Sequence, residues 1–436
     1  MRYSICAAAL VAVAVAAAAP LQIAHAQTTP AAPATPAPPP APKSWSDAIN
    51  LSGYLEGGFT GNFSSPGSDL NFGRLFDDKS NQAAFNQGSL IFERPVDTSG
   101  GWDIGFRFQG MMGSDARYTH FLGEGDRATN SRIQFDILEA SVTVHAPLPT
   151  AGGAELKIGQ FATLLGAETI DPRSNYFYSH SFIFNFGLPL KDTGAMLVTH
   201  VSPLIDLYTG LITGVNTSIG YPGGDNNGAV AFEGGVGFNI SDALTVLATT
   251  NIGPENPCVF GATYNCNASY RYFGDVVVTW KINPKLTSIT EFNIVHDQGP
   301  FVSAGGGRYS PTAGGLAQYL VYQWSDQVAL VGRGEVFRDA NGFFVAAFPG
   351  SLDFVNSEAG RPFRAFGPFV PETYGELTVG LNYKPPVPDP FKGFVIRPEF
   401  RIDDALGGAN AFNIDKAGVA HSKTQETVAV DFVLPF

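Results

Sequence analysis

Four charged residues occupy alternate positions of one short stretch: Arg397, Glu399, Arg401 and Asp403. Phe394, Ile396, Phe400 and Ile402 fall on the other parity. Such alternation places every charge on one face of a β-strand and the apolar residues on the opposite face. Guanidinium and carboxylate groups about 7 Å apart along a strand do electrostatic work. They pair across strands and set the field met by a passing ion. Arg333, Glu335 and Glu376 lie on similar polar faces, and so does Arg107. The arginines Arg107, Arg333, Arg397 and Arg401 are therefore candidates for a basic strip, which an opposing acidic strip would turn into a transverse field. The hairpin partner of the 391–403 run carries Glu376, expected to face Arg397, Glu399 or Arg401.

Covalent chemistry finds little support. His120, His145, His180, His200, His296 and His421 are isolated in sequence. His145 and Ser141 share one strand face, but a nucleophile also needs an orienting third group and an oxyanion site, and neither is legible. No catalytic residue is assigned. Nor is a cofactor, since no glycine-rich phosphate loop is present, and metal-ligand spacing is missing too. The acid pairs Asp77-Asp78 and Asp403-Asp404 read as solvated strand ends. Cys258 and Cys266 sit in one connection and, in an oxidising compartment, are expected to form a disulfide.

The elements that must hold these residues are short strands. Among 436 residues there are 50 glycines, 12% aromatic residues and only 15% charged ones, with a mean hydropathy of +0.04. Aromatics are too many for a disordered chain. A net charge of −13 argues against nucleic acid as a partner. The one apolar run near spanning length is N-terminal. Arg2, the Ala/Val run 7–19 and the small-x-small site Ala24-His25-Ala26 make residues 1–26 a secretory signal peptide. Residues 27–44, rich in Pro and Ala, read as a semi-rigid periplasmic tether, and residues 45–436 as the folded domain.

From Asn50 onward about sixteen period-two runs follow one another. They cover 50–63, 84–94, 101–112, 132–146, 154–165, 192–201, 204–215, 228–240, 243–252, 269–282, 285–296, 315–324, 327–338, 373–384, 391–403 and 425–436. The run 132–146 changes face near Ile137, which suggests a bulge. Connections alternate between short, turn-rich ones and long ones. That alternation predicts an all-β, antiparallel, up-and-down transmembrane barrel of about sixteen strands, fourteen to eighteen being compatible, with short periplasmic turns and long external loops. Trp102, Trp280 and Trp324 fall on apolar faces next to short turns, as an interfacial girdle requires. The chain is too short for a plug domain. Its last strand alternates Val428, Val430, Phe432, Leu434 and Phe436, so Phe436 is a candidate signal for the outer-membrane assembly machinery.

Several segments carry a resemblance. They are Phe72-Gly73-Arg74-x-Phe76-Asp77, then Asn86-Gln87-x-x-Leu90-x-Phe92-Glu93-x-Pro95, then Gly105-Phe106-Arg107 with Gly113-x-Asp115-Ala116. The longest is ETIDPRSNYFYSHSFIFNFGLPLKDTG, Glu168–Gly194. Through them the chain resembles the β-barrel porin-2 (OmpL-like) family of Gram-negative bacteria. The resemblance implies an outer-membrane barrel with a pore function and carries no substrate with it.

In a barrel the polar faces line the lumen. They place Glu56, Glu93, Asp103, Glu139, Glu155, Asp275, Glu291, Glu335, Glu376, Glu399, Asp403 and Asp431 inside. Arg107, Lys157, Arg271, Lys281, Arg333, Lys384, Arg397 and Arg401 oppose them. The acidic surplus predicts a weak cation preference. Segment 166–191 is unusually aromatic for an external loop. It either folds into the lumen and narrows it, with Glu168, Asp171, Arg173, Tyr176, Tyr178 and His180 as contacts, or packs on the rim as a lid. The expected function is a porin-like channel for small hydrophilic solutes or ions. A substrate-specific uptake channel and a closed, surface-binding barrel remain as alternatives. Expected partners are outer-membrane lipid and lipopolysaccharide, the assembly machinery, small solutes and, in a homo-trimer, two further copies.

Overall fold

Period two from Asn50 is realised as extended backbone whose two faces meet different surroundings. The computed structural model describes residues 44–126, 130–258, 265–299, 301–302 and 308–436. The predicted signal peptide and all of the tether but Ser44 lie outside them. Trp45–Ala48 forms one helical turn.

The barrel strands are β1 (Asn50–Asn62), β2 (Gln82–Arg94), β3 (Asp103–Gly113), β4 (Gln134–Ala146), β5 (Ala154–Ala162), β6 (Lys191–Ser202), β7 (Ile205–Val215) and β8 (Ala231–Ser241). They continue as β9 (Leu244–Pro254), β10 (Tyr270–Asn283), β11 (Leu286–Asp297), β12 (Thr312–Gln323), β13 (Val328–Asp339), β14 (Glu372–Tyr383), β15 (Val395–Ala405) and β16 (Thr424–Pro435). Each pairs with its chain neighbour, and the sheet closes on itself. Closure joins the chain ends of the sheet, from Tyr54 opposite Pro435 to Asn62 opposite Thr427. A closed sheet has no unpaired edge, which a lipid environment demands. Beyond the ladder, the Phe436 and Gly53 backbones exchange two hydrogen bonds of 2.9 Å.

The predicted face change in β4 is a bulge. The β3–β4 register steps from Gln109 opposite Glu139 to Gly110 opposite Ile137, which leaves Leu138 unpaired. The start of β15 differs from expectation. It begins at Val395, not near 391, because residues 391–394 form a turn, with the N–H of Phe391 bonded to Pro388 (3.0 Å), that of Phe394 to Phe391 (3.1 Å), and Gly393 at a positive φ of 101°.

Outward positions such as Leu51, Leu90, Phe108, Leu377 and Val379 are exposed, as a lipid-facing band requires. Trp102, Trp280 and Trp324 are 74%, 51% and 65% exposed at the short-turn end. The inside differs from a uniformly wet wall. At the long-loop end, Phe72, Phe177, Phe182, Ile183, Phe337 and Tyr374 form a buried apolar core within the barrel. The Phe182 ring lies 5.1 Å from Tyr374 and 6.1 Å from Phe337, centroid to centroid. Burying each such side chain contributes roughly 1.5–3 kcal/mol. Segments 63–81 and 163–190 supply most of the rings that the wall itself lacks.

Candidate functional site in the filled half of the lumen

Segment 163–190 joins β5 to β6 and lies inside the barrel. Irregular backbone placed there has no ladder to pair with, so its N–H and C=O groups need partners from elsewhere. The wall's charged side chains supply them. The N–H groups of Tyr178 and Ser179 donate to Glu399 (2.9 and 3.2 Å). Those of Phe182 and Ile183 donate to Glu335 (2.7 and 2.8 Å). Arginines serve the carbonyls. Arg333 donates to Ser179 (2.9 Å), Arg401 to His180 (2.6 Å), and Arg397 to Pro172 and Asn175 (2.8 and 2.7 Å). These are charge-assisted bonds in a desolvated setting, the stronger kind.

The same arginines are ion-paired. Arg333 contacts Glu168 of the segment (2.6 Å) and Glu376 of β14 (3.1 Å). Arg401 pairs with Asp403 (2.7 Å). Arg397 pairs with Asp431 and lies 3.3 Å from Glu56. Arg74, from segment 63–81, pairs with Asp77 (2.7 Å) and Asp403 (2.8 Å). All four arginines are almost completely buried. The expected facing of Glu376 is corrected by the later start of β15. Its cross-strand partner is Asp403, while Arg401 stands opposite Thr378 and approaches Glu376 only to 3.8 Å. Glu335, Glu376 and Asp403 thus form a row of carboxyls across β13, β14 and β15, and the guanidiniums of Arg333, Arg401 and Arg74 pair with the row.

The opposite wall holds the base of the segment with acids. Glu233 on β8 accepts from the Leu164 N–H (2.8 Å) and the Thr163 hydroxyl (2.7 Å). Asp275 on β10 accepts from Gly166 and Glu291 on β11 from Ala167, both at 3.1 Å. Asn293 donates to the Gly187 carbonyl (3.1 Å). Asp192 and Glu233 were not among the predicted inner acids. The run 192–201 has no clean alternation, so its inward parity was not legible.

Within the segment, Glu168 is the hub. It accepts from Arg333, from the Tyr319 hydroxyl (2.9 Å) and from the Ser181 N–H (3.1 Å), and His180 Nδ1 lies 2.7 Å away. Burial pushes its carboxyl up, but Arg333 and His180 outweigh this and hold it at about 2. The His180 ring stacks on Phe184 at 3.9 Å. Asp171 and Arg173 pair with each other (2.6 Å), and the Arg173 guanidinium sits over the Tyr54 ring. Tyr178 donates its hydroxyl to Asn86 (3.0 Å), and Tyr176 packs against the apolar core. Tyr178 is thus buried and Tyr176 half-buried among the rings of the segment and wall.

Other candidates fall elsewhere. Arg107 is near the short-turn end, bonded to Glu93 and 3.1 Å from Glu139, with 29% of its side chain exposed. Asp77, Asp78 and Asp403, read as solvated, are buried. Asp78 takes two bonds from Arg117 (2.8 and 3.1 Å). Ser141 donates to Glu139 and His145 contacts Glu155, so they do not form a pair. Cys258 and Cys266 are disulfide-bonded with Cα atoms 5.4 Å apart. Among the described residues no three His, Cys, Asp or Glu side chains converge as metal ligands.

Residues 48–436 match the family model described as Putative beta-barrel porin-2, OmpL-like. The chain belongs to this family. No curated protein matches the sequence. Among solved structures, the outer-membrane channel DcaP of Acinetobacter baumannii is similar at a TM-score of 0.54 and 13% identity, with 89% of this chain and 97% of that one covered. An anion-selective porin from Comamonas acidovorans gives 0.54 at 10% identity, covering 89% and 99%. The trimer form of OmpT from Vibrio cholerae gives 0.51 at 12%, also covering 89% and 99%. At these identities the likeness is one of fold. This porin-2 family member is an outer-membrane β-barrel of porin type, with its apolar band in lipid and a channel architecture.

Proposed function

We propose that this barrel passes small hydrophilic solutes and ions, that segment 163–190 sets its conductance, and that it weakly prefers cations. One observation carries the reading. At the level of the segment, Arg74, Arg333, Arg397 and Arg401 are all ion-paired. Asp192, Glu233, Asp275 and Glu291, buried in the facing wall, have no basic partner among the described residues. Rings or strips of one sign set ion preference. The neighbour from Comamonas is described as anion-selective, so the sign of the preference is the property to measure. Single-channel recording of the purified protein in a planar bilayer tests both halves. The reversal potential across a salt gradient should have the cation-selective sign, and deleting 172–186 should raise conductance. Clear anion selectivity, or an unchanged conductance, would sink the respective half.

A second reading, a closed barrel that binds at the surface, is favoured by the burial of Arg401 and Glu335 at mid-lumen. Liposome swelling separates the readings. Broad uptake fits a porin, uptake of one solute class a specific channel, and no uptake a closed barrel. No catalytic role is proposed. For partners we propose lipopolysaccharide at the long-loop rim, the assembly machinery at Phe436, and a homo-trimer of the kind in which OmpT of Vibrio cholerae was solved.

A further inference from the structure

A charge interrupts the apolar outer face of the barrel. Along β13 the outward parity reads Leu330, Gly332, Gly334, Val336 and then Arg338. Arg338 is exposed and stands at the long-loop end, one residue before the strand closes at Asp339. Its guanidinium donates to the Thr373 hydroxyl of β14 (3.1 Å), and among the described residues no carboxylate pairs with it. The neighbouring Asp339 points inward and accepts from the N–H groups of Phe343, Phe344 and Val345. A cation on the lipid face is tolerated near the interface, where it meets water or an anionic headgroup.

An apolar groove of about 440 Å³ opens beside this arginine. Its floor is Gly314 of β12, which stands between Ile294 of β11 and Arg338 in one cross-strand row. The next row toward the membrane centre, Phe292, Leu316 and Val336, closes it from below. Thr312 and Ala340 bound it toward the loops. A Cβ on residue 314 would lie 2.6 Å from the Asn293 carbonyl oxygen, so the gap is fixed by the backbone and not by a rotamer. Above the groove the wall turns polar and aromatic. His296 Nδ1 lies 2.8 Å from the Thr312 hydroxyl. Tyr272, opposite His296 in the ladder, stacks on Tyr270 at 6.2 Å. Aromatic rings of this kind mark the membrane–water interface. Arg338 is therefore at headgroup level and the groove at acyl-chain level.

We propose that this groove is a site for a phosphorylated, acylated lipid of lipid A type. One acyl chain lies over Gly314, and Arg338 with the Thr373 hydroxyl holds a phosphate of the same molecule. Charge complementarity selects this occupant, since an unpaired cation above an apolar groove matches an anion above apolar chains. Long loops face outward in such barrels, so the leaflet at this level is the outer one. The inference deepens the lipopolysaccharide partnership proposed above and rests on it.

The purified protein in detergent, titrated with bisphosphorylated lipid A and with lipid A freed of phosphate and read by native mass spectrometry, tests the site. Arg338→Gln should weaken the phosphorylated form about tenfold and leave the phosphate-free form unchanged. Arg338→Lys should keep most of the affinity. Val336→Phe, which adds bulk at the edge of the groove, should weaken both forms alike. Both side chains face outward, so the barrel should fold with either change, and heat-modifiable gel mobility checks this. Equal lipid A affinity in the wild type and Arg338→Gln overturns this site and leaves the lipopolysaccharide partnership standing. No lipid A on the wild type sinks both. Cross-linking between copies through Val336→Cys would put a second copy on the groove and overturn the proposal.

Discussion

The two walls that grip segment 163–190 use opposite electrostatics for one task. On β13–β16 guanidiniums and carboxylates alternate: the arginines that serve the segment's carbonyls, Arg333, Arg397 and Arg401, are each ion-paired, while Glu335 and Glu399 accept its N–H groups. On β6–β11 the charged groups of the grip are all acidic, with the Asn293 amide beside them. The first wall is an ion-pair network whose parts cannot be removed singly, because a lone partner stays buried and uncompensated. On the second, Asp192, Glu233, Asp275 and Glu291 are buried with no basic partner among the described residues, so replacing one of them strands no buried cation.

The contrast breaks most sharply at Arg333. Arg333→Met leaves Glu168 and Glu376 buried without their shared guanidinium and should cost about 3–5 kcal/mol, read as a lower denaturant midpoint for the refolded barrel in detergent. Asp275→Asn, its counterpart on the acidic wall, should cost less than about 1 kcal/mol, because the amide oxygen still accepts from the Gly166 N–H and no buried cation loses its partner. Equal costs would mean that the walls are not different in kind.

The next effect is acid sensitivity of the ion-paired side. Glu168 is held at about 2, below the ordinary value near 4.5. Its contribution is therefore complete above pH of about 4.5 and is lost as pH falls toward 2. Over that window the anchorage should weaken by roughly 3 kcal/mol. Exchange protection of the Ser181 N–H between pH 5 and pH 2 reports it, and full protection at pH 2 would show that Glu168 is not the hub.

The smallest effect belongs to the vestibule. Arg107→Gln removes a half-exposed pair and should change stability by no more than about 1 kcal/mol. Its effect should appear in the salt dependence of conductance, where the partly exposed Glu93 and Glu139 charges are screened. A loss as large as that of Arg333→Met would place Arg107 in the buried network.

Legibility followed physical range. Each barrel strand lies on a run of alternating residues, because a wall with lipid on one face and polar groups on the other imposes period two locally. Where one face lacks a clear rule, as at Asp192 with Met196 and Val198 on the same parity, the reading failed. Ladder register was out of reach for another reason. The 384–394 turn displaced β15 by four residues, and that shift moves Glu376 past Arg397, Glu399 and Arg401, the partners expected for it, to Asp403. The aromatic richness of 166–191 marked the segment as unusual, yet it favoured a lid on the rim slightly over the lumen, where the segment lies. Nothing in the segment says which surface its Phe and Tyr residues will meet.

From sequence alone came a count of about sixteen strands, the face most side chains take, the alternation of short and long connections and the acidic surplus expected of the inner wall. All of these are consequences of neighbours two residues apart or of composition. The tertiary structure decided what those inner charges are for. Glu335, Glu399, Arg397 and Arg401 bind the backbone of a segment that lies between about 150 and 230 positions away in sequence. A hydrogen bond across a lumen depends on closure of the sheet, and closure is a property of all sixteen strands together.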